Sequence, residues 1–431
     1  MADSRATQPR AAAAAPVARA RWKTITALVL GTAGALYAGV FAFSVTFSAR
    51  NPAAATAVRP MVTEATETVA DLALFSAGQS ALESKGQVAS GAIPPSLISG
   101  IGLEIDAATQ ARVRGLALAA LRSSPLVSSS LRQLAFFEPV SPRKWTLLEL
   151  SERVSKRDVL ATLQLAELRL RRNDVDAGLA GLDRALTVSQ DVDTAVFPML
   201  MGAVAAQPDA RARVGGLIAG EKLWTERLVR WSIANPAALP ALSAIVARIP
   251  AKSPARAPGY GQQMVDQLAG QGQWGPAFAV YRTYSPKAQD VGDMQRSTFA
   301  PLDWRLIDDY DTGSRTVGGA VELFANPGRG GQVAQIITRL APGAHRLALT
   351  VRDSQPGDLT LAVDCLQGTA ALPGSRSTLP LTDGAMNYAF SIPGAGCQFQ
   401  RLSLALTARN DSAGALITSV RLDGAPAARQ P

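Results

Sequence analysis

The stretch HRLALTVRDSQPGDLTLAVDC, residues 345–365, alternates apolar and polar positions twice, on either side of a turn. Leu347, Leu349 and Val351 share one face of a strand; Leu359, Leu361, Val363 and Cys365 share one face of the next. A period of two is what a half-buried strand requires, because successive side chains point to opposite faces. The alternation recurs at Leu402, Leu404 and Leu406, and again in the closing segment from Leu416 to Asp423. Turns rich in proline and glycine, PGA (342–344), QPGD (355–358) and TDGA (382–385), separate these runs. Roughly eight or nine short strands over 299–425 are therefore expected, forming a β-sandwich of jelly-roll type.

Upstream of Phe299 the apolar period becomes helical, from about residue 61 to 290, with Pro and Gly as punctuation. Helices are expected to begin after Asp106, Ser141, Arg157, Asp174, Asp193 and Asn235, several of them with a capping-type residue before the apolar run. Residues 159–190, VLATLQLAELRLRRNDVDAGLAGLDRALTVSQ, carry small side chains at Ala166, Gly178 and Ala185, with Asn173 and Asp174 between two apolar stripes. Those spacings match the close-packing positions of a tetratricopeptide (TPR) helix pair. They lack its usual tryptophan, its aromatic residue before the turn and its closing proline. A degenerate helical-repeat scaffold is the expectation; a plain helical bundle is the alternative.

The N-terminus reads as an anchor. From Ile25 to Phe47 the run ITALVLGTAGALYAGVFAFSVTF is uncharged, which at 1.5 Å per residue is long enough for a hydrocarbon core of about 30 Å. Lys23 and Arg50 bracket it and Trp22 sits at an interfacial position. Arg5, Arg10, Arg19, Arg21 and Lys23 oppose only Asp3 before it. By the positive-inside rule this makes 1–23 a cytoplasmic tail, 24–48 a transmembrane helix and 49–60 a stalk, with the bulk of the chain periplasmic. A cleaved signal peptide is the rival reading, although its apolar run is ordinarily shorter. Gly31, Ala35 and Gly39 form a small-xxx-small stripe through which two such helices could dimerise.

The 431-residue chain has a net charge of +9, yet outside the tail its arginines are scattered singly among acids. No basic stripe with interleaved aromatics marks a nucleic-acid surface, so that class is set aside. A mildly basic surface suits an anionic polysaccharide or lipid headgroups. The single histidine, His345, makes a histidine-based triad or a His/Cys zinc site untenable as an expectation. No Walker or Rossmann glycine pattern occurs, and Ser141 with Lys144 matches S-x-x-K without its companion motifs. No catalytic residue and no cofactor is assigned.

The β-region holds the remaining candidates. Cys365 and Cys397 are the only cysteines and each falls on an expected strand. An exported compartment permits a bridge between them, and two buried thiols are the alternative. Asp308, Asp309 and Asp311 could offer oxygen ligands to a structural calcium, or be solvated turn residues. Trp304, Tyr310, Phe324 and Tyr388 are the aromatics that could stack on a sugar ring, or belong to the core.

Two short elements carry a family resemblance: Val154-Ser155-Lys156-Arg157-Asp158 in the helical region and Pro301-Leu302-Asp303-Trp304 at the opening of the β-region. With them, residues 105–425 resemble a family of membrane-anchored bacterial envelope proteins. These proteins join TPR-like helices to a C-terminal β-sandwich of carbohydrate-binding-module type. The segment from Leu416 to Asp423 is similar to the closing strand of galactose-binding-like sandwiches. The resemblance implies association with surface-polysaccharide systems. The combined expectation is an α + β multidomain protein: a scaffold or binding protein of the inner membrane whose helices bind envelope proteins and whose sandwich binds glycan. The alternative is an interaction adaptor with no sugar binding.

Overall fold

The computed structural model of the protein describes residues 50–54, 63–84, 105–285 and 287–424. The expected tail and membrane helix, with Gly31, Ala35 and Gly39, lie outside the described residues, as does most of the stalk. Among the described residues no helix is long and apolar enough to cross a membrane. The chain divides into two compact units, 1–188 and 189–431. The helical stretch expected over 61–290 is thus shared between both.

In the first unit, helices α1 (Thr63–Ser84), α2 (Ala107–Ser123) and α3 (Ser128–Phe137) come together over Ala70, Leu74, Val113 and Phe136. Helices α4 (Pro142–Val154), α5 (Val159–Arg171) and α6 (Val175–Val188) follow. Short polar side chains set the helix starts, because they satisfy first-turn N–H groups that lack an intrahelical partner. Asp106 accepts from Thr109 N at 2.8 Å, Ser141 from Lys144 N at 3.3 Å, and Asp158 from Ala161 N at 3.0 Å. Between α5 and α6 the chain turns through Asn173 at φ 63°, a left-handed conformation that asparagine tolerates. The two helices then approach closely. A Cβ on Gly178 would lie 2.6 Å from Leu170 Cδ2, and one on Gly181 would lie 2.8 Å from Ala166 Cβ.

A polar network forms among α1, α3 and the start of α5, with Arg132 buried and Asp71 partly open to solvent. Arg132, 5% exposed, gives Nη2 to both oxygens of Asp71 (2.9 and 2.8 Å) and faces Asp158 with Nε at 3.2 Å. Gln133 donates to Asp71 at 2.9 Å, and Ser129 donates to Glu67. Asp158 therefore closes the Val154-to-Asp158 element by capping α5 and neutralising a buried guanidinium at once. Burial pushes the Glu67 carboxyl above its ordinary range, against the Ser129 hydrogen bond that lowers it.

The second unit opens with α7 (Asp193–Ala206), α8 (Pro208–Ile218), α9 (Thr225–Ala234) and α10 (Leu239–Ser243). The pair α11 (Pro258–Gly270) and α12 (Trp274–Tyr284) leads into the strands. These are β1 (Arg305–Leu306), β2 (Thr312–Val317), β3 (Ala320–Ala325), β4 (Gly330–Thr338), β5 (Gly343–Arg352) and β6 (Leu359–Gln367). There follow β7 (Ala370–Ala371), β8 (Ser377–Leu381), β9 (Gly384–Ile392), β10 (Gln400–Thr407) and β11 (Ala413–Gly424). They form two antiparallel sheets, ordered β1-β4-β10-β6-β7 with β8 also on β6, and β2-β3-β11-β5-β9. The alternating residues face inward as expected: Leu347, Leu349 and Val351 from one sheet share the core with Leu359, Leu361, Val363, Leu402, Leu404 and Leu406 from the other.

The described strands number eleven where eight or nine were expected, and two further expectations need correction. The closing strand does not alternate throughout, because a register shift between Ile417 and Ser419 re-phases it. Ile417 and Val420 consequently both face the core. Cys397 lies in the β9–β10 connection rather than on a strand. It still bridges to Cys365 on β6, with Cα atoms 5.1 Å apart.

Candidate functional site

The Pro301-to-Trp304 element is a latch between α12 and the sandwich. Asp303 is buried and accepts from Tyr281 Oη at 2.9 Å and from Phe299 N at 3.0 Å. Arg296 approaches the same carboxylate at 3.1 Å. Trp304, 1% exposed, donates Nε1 to the Val291 carbonyl at 2.8 Å. Further along the same helix, Phe278 stacks on Phe399 with ring centres 5.7 Å apart. At the other end of the helix pair, Trp274 Nε1 donates to the Gly368 carbonyl at 2.6 Å. Gly272, at φ +69°, presses so close that a Cβ there would lie 2.7 Å from the Gly368 backbone.

Held this way, α11 and α12 wall a cavity of about 250 Å³ against the outer face of the β1-β4-β10-β6 sheet. Ile337, Leu366, Pro301 and Ala269 supply apolar lining, and the indole of Trp274 adds to it. Asp266, Arg305, Gln335, Thr369 and Arg401 supply the polar groups. Strand register explains the placement. Arg305 pairs with Gln335 across β1 and β4, and Arg401 pairs with Ile337 on one side and Asp364 on the other. These positions alternate with inward-facing Leu306, Ala334, Ile336 and Leu402. Asp266 fixes Arg305 at 2.7 Å. Asp364, fully buried, holds Arg401 at 3.0 Å and has Arg376 Nε at 3.9 Å.

The sequence-nominated residues are not brought together there. Trp304 and Tyr388 are in the sandwich core, where Tyr388 stacks on Phe390 and hydrogen-bonds Ser377. Phe324 is half-buried on β3 and covers Gly313, where a Cβ would lie 2.7 Å from its Cζ. Tyr310, 90% exposed, projects from the β1–β2 connection. The three aspartates do not converge. Asp308 bridges to Gly313, Asp309 accepts from Tyr310 N, and Asp311 pairs with Arg329 at 3.3 Å. Among the described residues no group of three or more His, Cys, Asp or Glu side chains could hold a metal ion, so the calcium expectation finds no site. His345 is buried on Phe390; the Ala341 carbonyl can only accept, so Nε2 carries the hydrogen between them at 2.7 Å.

Sequence reading passed over Arg305, Gln335 and Arg401. The available signal was a charged or amide residue on the polar phase of otherwise apolar strands, with Asp364 inside LTLAVDCLQ as the plainest instance.

No protein-family model matches the chain, and no curated protein matches it. Among solved structures, 32% of the chain is similar to the whole of the structure described as "CBM4 structure and function", at 11% identity and a TM-score of 0.24. Another 13% identical structure, TmCBM61 in complex with β-1,4-galactotriose, is matched over 30% of this chain and 90% of its own, with a TM-score of 0.22. The structure described as "Family 16 Carbohydrate Binding Module-2" is matched over 27% of this chain and 86% of its own, at 16% identity and a TM-score of 0.21.

Proposed function

We propose that the protein is a membrane-anchored periplasmic binding protein serving surface-polysaccharide assembly or export, with its sandwich unit gripping a glycan and its helical unit docking envelope proteins. The observation that carries the glycan part is the cavity against the β1-β4-β10-β6 face. Arg305 and Arg401, each held by an ion pair, stand with Gln335 and Thr369 around apolar lining that includes Trp274, the mixture that a sugar's hydroxyls and C–H faces require. The uncharged run at 25–47 and the basic residues before it support the anchor. The role is binding, with no chemical step assigned to any residue.

Calorimetric titration of the full chain in detergent with fragments of the host's envelope polysaccharides tests this. Saturable binding that weakens in Gln335→Ala is expected. Flat titrations with every polysaccharide fragment would refute the glycan role. A second reading, an adaptor without sugar binding, draws on the exposed large apolar residues of the first unit, among them Leu72, Phe75, Leu118 and Leu126. Flat titrations together with specific retention of a defined envelope protein would favour it.

A further inference from the structure

The hydrogen-bond inventory of the cavity is one-sided. Arg305 spends Nη2 on Asp266 Oδ1, and no described residue accepts from its Nε or Nη1. Arg401 directs Nε and Nη2 at one oxygen of Asp364, and no described residue accepts from its Nη1. Gln335 uses its Oε1 to accept from Gln332 at 2.7 Å, which leaves its amide N–H groups as donors. The Thr369 hydroxyl adds a further polar group on the lining. Against these donors stands mainly the second carboxylate oxygen of Asp266.

A neutral sugar presents hydroxyls, each of which donates as well as accepts, and so suits a lining that mixes both roles. A carboxylate only accepts, and the guanidinium fork matches its two oxygens in one plane. Charge points the same way. Arg305, Arg401 and, across Asp364, Arg376 amount to three guanidiniums around Asp266 and Asp364. Asp364 is buried beside Arg401, so the guanidinium is positioned before any ligand arrives.

We propose that the cavity walled by α11, α12 and the β1-β4-β10-β6 face recognises an acidic saccharide, with a uronate carboxylate received by Arg305 and Arg401 and the ring laid over Ile337, Leu366 and Trp274. This rests on the glycan-binding reading above and narrows it to a chemical class. Gln335 and Thr369 then contact the neighbouring hydroxyls. Asp364 acts as a positioning residue for Arg401 and makes no contact with the sugar.

The test compares two probes on the full chain in detergent: a uronic-acid tetrasaccharide, and the same tetrasaccharide with its carboxyl groups reduced to alcohols. The acidic probe should bind about tenfold or more tightly than the neutral one, the scale of a charge-assisted pair. The margin should shrink as salt is raised. Arg305→Gln, whose partner Asp266 is solvent-exposed, should lower the acidic probe's affinity by much more than the neutral probe's and so erase most of that margin. Arg401→Lys, which keeps the charge and the Asp364 pair but removes the guanidinium fork, should narrow the margin by less than Arg305→Gln does. Equal affinities for the two probes in the wild-type chain would overturn the acidic assignment and leave glycan binding standing. No binding of either probe, with no response to other polysaccharide fragments, would overturn both.

Discussion

Lys144 offers a perturbation whose size follows from its surroundings. It is 1% exposed at the start of α4, and Nζ donates to the Phe136 and Glu138 carbonyls at 3.5 and 3.3 Å, at the C-terminal end of α3. Burial lowers its pKa to about 8 from 10.5, despite the opposing pull of Glu167 and Glu138. The unfolded chain keeps this proton up to about pH 10.5, whereas the folded chain releases it near 8. Between those values the unfolded state binds more protons, so stability must rise with pH across the window. At 1.36 kcal/mol per pKa unit the full gain is about 3 kcal/mol. Lys144→Met keeps the apolar stem and cannot titrate. The assay is equilibrium urea unfolding of the full chain from pH 7.5 upward, read by pulsed hydrogen exchange in peptides from α3 and α4. Subtracting the Lys144→Met curve from the wild-type curve cancels other titrating groups. The difference should climb by roughly 2–3 kcal/mol over the window. Parallel curves would refute the assignment of a buried, proton-shedding ammonium.

Three further outcomes are expected. Glu67 has its folded pKa raised by burial, so its contribution is largest in acid and fades as pH rises through that raised value; Glu67→Gln should flatten the fall in stability of the first unit above pH 4.5. Replacing Cys365 and Cys397 by alanine opens a loop of sequence separation 32, and loop-closure entropy puts the loss at about 4 kcal/mol, measurable as a lower urea midpoint for the sandwich. Gly181→Ala drives a methyl into Ala166 and should cost about 1–3 kcal/mol in the first unit, with the α5–α6 amides exchanging faster.

What could be read from the sequence was what local chemistry decides. Asp106 and Ser141 announce α2 and α4 because capping needs only one short side chain and the next three residues. The sequence pattern starts α5 one residue early, since Asp158 rather than Arg157 makes the cap. Leu347 to Val351 and Leu402 to Leu406 revealed the sandwich because one sheet face per strand must meet the core. The cysteine pair was open between bridge and thiols, and proximity in the fold decided for the bridge. The closing strand misled because one extra residue at Thr418 reverses the phase without any change in composition. Trp304 and Tyr388 were open between sugar stacking and core, because an aromatic on or beside a strand has the same sequence signature whether it faces core or solvent; both lie in the core. The cavity was illegible for a different reason. Asp266, Trp274, Arg305, Gln335 and Arg401 become neighbours only after the helix pair docks and three strands take register.

That docking also decides where the chain can be cut. A fragment starting at residue 299 would retain all eleven strands, and by strand content would look like an intact module. It would nevertheless lose Tyr281 and Arg296 from the buried Asp303, uncover Phe399 where Phe278 stacks, and leave the Gly368 carbonyl without the Trp274 N–H. One wall of the cavity would go with them. For expression, domain grafting or display, the indivisible piece begins before Pro258, and any assay on strands alone would test the cavity without its helical wall.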